Sequence, residues 1–173
     1  TTRCFPIKSR ILAAIAALPA GGGRILLSEG TFNTGTSIII NKANVTLEGN
    51  GNSTKIMLQN AANVSVITLG NNSGSETGIV VKNLLIDGNM ANQSSVSAGI
   101  NIRNDADQAT IQNCTIQNTR NANIYDDGAQ YTSILNNYCN TTRVGIGASN
   151  IECIGANAIV SGNTCLAGDY AGI

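Results

Sequence analysis

Histidine and tryptophan are absent from this chain, and aromatic residues make up only 3% of its 173 positions, so its core must be aliphatic. Only 12% of residues are charged. Ten basic and ten acidic side chains cancel, and no Lys/Arg cluster stands out, which excludes the electrostatic footprint of a nucleic-acid binder. No apolar run reaches the roughly 18 to 20 residues that span a bilayer, so no membrane span is expected. Five cysteines, an odd number without a Cys-x-x-Cys, and the lack of histidine argue against a zinc site and a small disulfide framework. At least one thiol should be free. The opening Thr1-Thr2-Arg3-Cys4 has no initiator Met, which reads as a cut or processed piece of a longer chain.

Gly, Asn, Ser and Thr are what the chain has in abundance, and they punctuate a repeat. One phase is a small residue followed by Ile, at Gly99-Ile100, Asn123-Ile124, Gly145-Ile146 and Gly172-Ile173. A second phase aligns Val81-Lys82-Asn83-Leu84-Leu85-Ile86 with Ile111-Gln112-Asn113-Cys114-Thr115-Ile116, then with Ile134-Leu135-Asn136-Asn137-Tyr138-Cys139 and Val160-Ser161-Gly162-Asn163-Thr164-Cys165. Apolar and polar residues alternate over three to five positions and are bounded by Asn and Gly, the pattern of short strands joined by tight turns.

A unit of about 22 to 28 residues holding several short strands is one rung of a β-solenoid. The alignment predicts an inward column of Ile86, Ile116, Cys139 and Cys165, the last two as free thiols on adjacent rungs. It also sets Leu84, Cys114, Asn137 and Asn163 in one column, where stacked amides can hydrogen-bond along the axis. Ahead of the repeat, Ser9 is placed to cap an amphipathic helix over residues 10–18, with Ile11, Leu12, Ile15 and Leu18 on one face. Such a helix would shield the first rung from edge pairing. Strands are expected at Arg24–Leu27, Ser37–Ile40, Val45–Leu47, Lys55–Leu58 and Val64–Leu69, with turns at Glu29-Gly30 and Asn50-Gly51.

The run Ile11 to Leu18, then Gly21-Gly22-Gly23-Arg24-Ile25-Leu26-Leu27, Gly30-Thr31-Phe32 and Val45-Thr46-Leu47-Glu48-Gly49-Asn50-Gly51, resembles the opening of pectate-lyase-like β-helix proteins. Residues 79–173 resemble their generic repeats. The resemblance implies an all-β, right-handed parallel β-helix of about five to six rungs. Residues 1–173 would form a single domain, with a cap helix over 9–18 and rungs over 24–173. That superfamily holds polysaccharide lyases, glycoside hydrolases, epimerases and phage tailspikes, so a polysaccharide partner and, for lyases of the pectate type, Ca²⁺ are implied by resemblance alone.

Acidic residues are few enough for candidate catalytic groups to be named. Asp105 and Asp107 follow the strand at Ile100–Arg103, and Asp126 and Asp127 follow Ile124-Tyr125 one rung later. Rungs lie about 4.8 Å apart, so these four carboxylates can share a surface, with Arg103 and Tyr125 as candidate substrate-binding residues. The competing reading is structural: Asp and Gly make turns, and Arg103 beside Asp127 is an ordinary surface pair. The column of Ile102, Asp126 and Ala148 points Asp126 inward, where an unpaired carboxylate would be costly.

Polygalacturonase-like members of the superfamily carry a Gly-His-Gly segment after their Asp-Asp pair. This chain has no histidine, so no catalytic residue is carried over. Lys82, Arg103, Arg120 and Arg143 are available as lyase-type bases, but no carboxylate column accompanies them. Tyr125, Tyr131, Tyr138 and Tyr170 fall in different columns and form no stacking platform for sugars.

Two functions therefore remain open. One is an extracellular or surface β-helix module that binds or degrades polysaccharide. The other is a non-catalytic structural, adhesion or spacer module, to which the even Asn/Ser/Thr-rich faces are closer. Seven Asn-x-Ser/Thr sequons, at Asn44, Asn52, Asn63, Asn71, Asn92, Asn113 and Asn140, suit secretion, although so polar a chain generates them by chance. Ala171-Gly172-Ile173 starts a rung that the sequence does not finish, so either the natural protein continues or two chains meet as a homodimer through their open C-terminal rungs.

Overall fold

A short strand with apolar residues on one side must bury that side, and its backbone groups need partners on both edges. Winding the chain meets both needs at once. The computed structural model describes residues 7–140 and 149–166, and every strand pairing in it is parallel and joins successive turns of the coil. Helix α1 (Ile7–Ala17) precedes a first turn of β1 (Gly23–Leu26), β2 (Gly30–Thr34) and β3 (Ile38–Ile40). The second turn is β4 (Val45–Leu58) and β5 (Ile67–Leu69), and the third is β6 (Val80–Asp87) and β7 (Ile100–Arg103). Next come β8 (Thr110–Gln112), β9 (Thr115–Gln117) and β10 (Ile124–Asp127), then β11 (Ser133–Leu135), β12 (Tyr138–Asn140) and β13 (Ile151–Cys153). β14 (Ile159–Ser161) and β15 (Thr164–Leu166) begin a sixth turn.

The solenoid has three faces. The first carries β1, the start of β4 and of β6, β8, β11 and β14, and the second carries β2, the ends of β4 and β6, β9, β12 and β15. Because β4 and β6 run unbroken across their shared corner, these faces form one ten-stranded sheet. β4 bulges at that corner, around Gly51, where two separate strands were expected from the sequence. The third face is a five-stranded sheet in the order β13-β10-β7-β5-β3.

In-register stacking turns the sequence repeat into columns. Ile25, Leu47, Val81, Ile111, Ile134 and Val160 line the first face inside, and Phe32, Ile56, Ile86, Ile116, Cys139 and Cys165 line the second. Cys139 and Cys165 are ladder partners with free thiols, as the alignment predicts, although only Cys139 is fully buried. At the corner between these faces Asn83, Asn113 and Asn136 adopt left-handed backbone with φ of 53–55°. Asn tolerates that conformation better than other side-chain-bearing residues, which explains its abundance here. The next position inward carries the amide ladder: Asn137 Nδ2 donates to Ile111 O at 3.0 Å, Asn163 Oδ1 accepts from Asn137 N at 2.8 Å, and Asn137 Oδ1 accepts from Cys114 N at 3.0 Å.

Helix α1 closes the first turn, burying Ile11 and Ile15 against the core. It begins at Ile7, so Ser9 lies inside it and is not its cap. Its other end is held by Lys42, whose Nζ donates to Leu18 O at 2.6 Å and Ala16 O at 3.3 Å, a cation placed on the negative end of the helix dipole.

On the third face the repeat alignment needs a correction. Ile100 and Ile124 stack as expected and Ile38 and Ile67 extend their column, but the partner of Ile124 is Ile151 and not Ile146. The second inward column is Ile40, Leu69, Ile102, Asp126 and Cys153, with Cys153 where Ala148 was expected. Ile151 follows Ile124 by 27 residues, where the alignment takes 22. Gly145-Ile146, Ala148, Arg143, Tyr170, Cys4 and the terminal Ala171-Gly172-Ile173, with the dimer contact argued from it, lie outside the described residues.

Asp126 is fully buried in that column, and its oxygens are occupied. Oδ1 accepts from Ala129 N at 2.9 Å and Gly128 N at 3.2 Å, and Oδ2 accepts from Thr132 Oγ1 at 2.7 Å and Cys153 Sγ at 3.3 Å. The carboxylate thus organises the turn that leads from the third face back to the first. Asp126→Ala, which strands two backbone N–H groups in the core, should destabilise the protein by about 2 to 4 kcal/mol. Asp126→Asn, which keeps an acceptor oxygen, should cost less. Ile102→Ala, one step below in the same column, should cost about 2 to 5 kcal/mol by opening a cavity. Urea denaturation followed by circular dichroism checks all three.

Candidate functional site

Side chains that alternate inward on the third face alternate outward as well, and the outward set is where a ligand can be met. Ile39, Thr68, Asn101, Tyr125 and Glu152 follow one another across its five strands, and Arg103 lies beside Asp127 in the next row. Over the N-terminal part of this face runs a groove of about 540 Å³. Its floor holds Ile39, Thr68, Asn101 and Arg103. One wall is Val64-Ser65 and the other is Gly70-Asn71-Asn72. Ser37 and Thr68 tie two turns together at its edge through hydroxyls 2.8 Å apart. No carboxylate lines the groove, and Arg103 has no ion pair among the described residues.

The residues singled out from the sequence divide among three environments. Arg103, Tyr125 and Asp127 share the outer surface, where the Tyr125 hydroxyl donates to Asp127 Oδ1 at 3.2 Å. Partial burial, followed by the Asp127 charge and this hydrogen bond, pushes the Tyr125 phenol above its ordinary range. The expected surface pair of Arg103 and Asp127 is in register but makes no ion pair within 4.0 Å. Asp105 and Asp107 sit in the turn after β7. Asp107 Oδ1 accepts from Gln130 N at 2.8 Å and so ties that turn to the next rung. Asp126 is in the core, so the four aspartates do not share one surface.

Asp105 has a neighbour that no repeat column marks. Its Oδ2 accepts from Asn71 N and Ser73 N, both at 3.1 Å, and its carbonyl accepts from Glu76 N at 2.8 Å, which brings a second acid beside it. Glu76 belongs to the excursion between β5 and β6, which has no counterpart in the repeat and hence no column to mark it. Glu152, the ladder partner of Tyr125, was missed because the alignment passed it by.

The other described basic candidates, Lys82 and Arg120, are engaged. Lys82 Nζ is 3.3 Å and Arg24 Nε 2.9 Å from Glu48 Oε2. Burial alone would raise the Glu48 pKa, but bonds from Lys82 and Asn83 and the two cations hold it below the usual range. Lys55 bridges Asp87 at 3.1 Å, and Arg120 Nη1 donates to Gln93 O at 2.8 Å. Ca²⁺ needs six to eight oxygens, with carboxylates prominent among them. Among the described residues no three acidic, cysteine or histidine side chains converge, so they do not fit such an ion. Tyr131 and Tyr138 lie apart from Tyr125, in a turn and on the second face. No described helix is long and apolar enough to cross a membrane.

No family model matches this chain, and no curated protein matches its sequence. Solved structures do match in shape. The A-module of the mannuronan C-5 epimerase AlgE6 from Azotobacter vinelandii superposes with a TM-score of 0.68 at 19% identity, covering 80% of this chain and 41% of that one. ORF18 of Geobacillus virus E2 gives 0.67 at 18% identity, covering 90% and 36%. A pectin methylesterase variant in complex with a hexasaccharide gives 0.64 at 16% identity, covering 92% and 52%. The chain therefore spans roughly a third to a half of each of these proteins. With its three-faced stack of parallel strands and its helix over the first turn, it has the pectate-lyase-like parallel β-helix fold.

Proposed function

We propose that this chain is a polysaccharide-binding β-helix module, acting outside the cell or at its surface, and that the groove on the third face holds a sugar chain bearing carboxylates. The observation that carries this reading is the lining. Ser37, Ser65, Thr68, Asn71, Asn72 and Asn101 offer hydroxyls and amides suited to sugar hydroxyls, and Arg103 is a cation with no ion-pair carboxylate among the described residues. A guanidinium left unpaired in a polar groove favours a planar anion that it can grip with two N–H groups. Mannuronan and pectin, named for two of the structural neighbours, support the polysaccharide class by analogy of fold.

The reading stops at binding. Hydrolysis with two carboxylates needs an acid and a base facing one bond. Here Asp127 and Glu152 flank Tyr125 beyond the groove, while Asp105 and Asp107 serve their turn and Asp126 the core. Asp127 with Tyr125 forms a polar continuation of the groove for a longer chain.

Affinity electrophoresis and calorimetry with polygalacturonate, alginate and a neutral glucan test the proposal. The acidic polymers should bind and the glucan should bind more weakly. Arg103→Ala should weaken acidic-polymer binding by about tenfold, the scale of one charge-assisted pair. Equal binding of all three polymers, or an unaffected Arg103→Ala protein, would remove Arg103 as the determinant. Release of reducing ends or unsaturated products that is lost in Asp127→Asn would extend the reading to catalysis, and none is expected.

A further inference from the structure

The wall of the groove formed by Gly70, Asn71 and Asn72 is held from behind by two acids. Asp105, in the turn after β7, receives the backbone N–H groups of Asn71 and Ser73 on Oδ2, and its carbonyl receives Glu76 N at 2.8 Å. Glu76 folds back beneath the same excursion and is only 8% exposed. Two oxygens are left over, Glu76 Oε2 and Asp105 Oδ1, each buried and without a donor of its own. Glycine is required for this closeness. At Gly70, where φ is +80°, a Cβ would fall on Asp105 Oδ1, and at Gly74 it would fall on the Glu76 carboxyl.

Two carboxylates cannot both stay ionised in contact at such a site, and a single proton between them turns repulsion into a hydrogen bond. The geometry points to a proton shared by Glu76 and Asp105 that latches residues 70–78 to the turn behind β7, so that one wall of the groove opens as the proton leaves. Its consequence for ligand binding rests on the groove being the binding surface, whereas the latch itself does not. Asp105 is the ionised partner, because the amides of the excursion already point at it.

The two shifts run accordingly. Burial, then the bond to Asp105 and its charge, raises Glu76 above its ordinary 4.5. Burial also works against Asp105 ionisation, but the Asn71 N–H, the Glu76 bond and the Gly74 N–H outweigh it and hold Asp105 below its ordinary 3.8. The Glu76 contribution is complete below 4.5 and is lost as pH rises through its raised value, and the Asp105 contribution is lost as pH falls through its lowered one. Between those limits the latch is shut. The other charged groups on the adjoining elements are occupied or point elsewhere. Asp107 accepts from Gln130 N, Arg103 lines the groove, and Lys42 is bound to the end of α1.

Hydrogen exchange of the Asn71, Ser73 and Glu76 amides, expressed as protection over intrinsic rates, reads the latch directly. Protection should fall by about tenfold or more between roughly pH 4.5 and pH 7.5, while amides in β5 and β7 stay unchanged. Glu76→Gln, whose amide can donate to Asp105 without a titrating proton, should stay protected across the range. The side-chain carboxyl carbon resonance of Glu76 in the native protein should titrate above 4.5. Flat protection in the native protein, or an equal pH response in Glu76→Gln, would overturn the latch. Binding of polygalacturonate fragments, measured at both pH values, is a separate arm: its absence at each would sink the binding reading and leave the exchange result standing.

Discussion

Ladder pairing between one turn and the next is the constraint on which the rest of this molecule depends. Every strand finds its hydrogen-bond partners in strands of the same face a full turn away, so a residue is stacked on its counterparts whatever its chemistry. Where the counterparts are Ile, Leu and Val, stacking yields a dry column. Polar residues in an inward column must find donors or acceptors along the axis, and Asn137 and Asn163 do so by bonding to each other and to carbonyls of neighbouring turns. Asn123 and Asn150 repeat the arrangement at the entrance to the third face, with Nδ2 of the first donating to Oδ1 of the second at 2.7 Å. Buried amides in such ladders fix register, because a slip of one residue would leave each of them without partners.

The same constraint decides which charges are available for chemistry. Glu48 and Asp87 lie on the outer side of the ten-stranded sheet, yet stacking brings Lys82 and Lys55 against them, and both carboxylates are consumed in cross-strand networks. For Asp87, burial is outweighed by bonds from Asn89, Gln117, Lys55 and Asn118, so its pKa stays below the usual range. Arg103 differs because its ladder partner Asp127 turns to the Tyr125 hydroxyl instead. Among the described residues, that difference leaves Arg103 without the ion pair that Lys82 and Lys55 each have.

How much of this was legible in the sequence follows from what a repeat can report. The columns through Val81, Ile111, Ile134 and Val160, and through Ile86, Ile116, Cys139 and Cys165, come directly from aligning rungs, because their apolar-polar alternation survives in every copy. The inward turn of Asp126 was legible by the same route, from Ile102 beneath it, but the four donors that satisfy it come from a turn and a neighbouring rung that alternation does not describe. Even spacing points to Ile146, 22 residues after Ile124, whereas the ladder partner is Ile151, 27 residues after it. Ser9 looked like a helix cap, yet the helix starts before it, since local capping preference yields to packing of the apolar stripe.

The groove makes the limit of that reading physical. Leu47, Val81, Ile111, Ile134 and Val160 stack on one another, but the steps between them are 34, 30, 23 and 26 residues. The longer steps carry surplus residues that cannot join the ladder and must leave the solenoid at its corners. Val64-Ser65 and Gly70-Asn71-Asn72 come from the first of these long steps and stand up as the two walls of the groove. Glu76 is further along the same surplus segment, and only the fold brings it to Asp105 in the following turn. A scaffold built from repeats is thus read from what recurs. The walls of its groove are built from what does not recur, so the residues that shape them are those a repeat alignment leaves without a column.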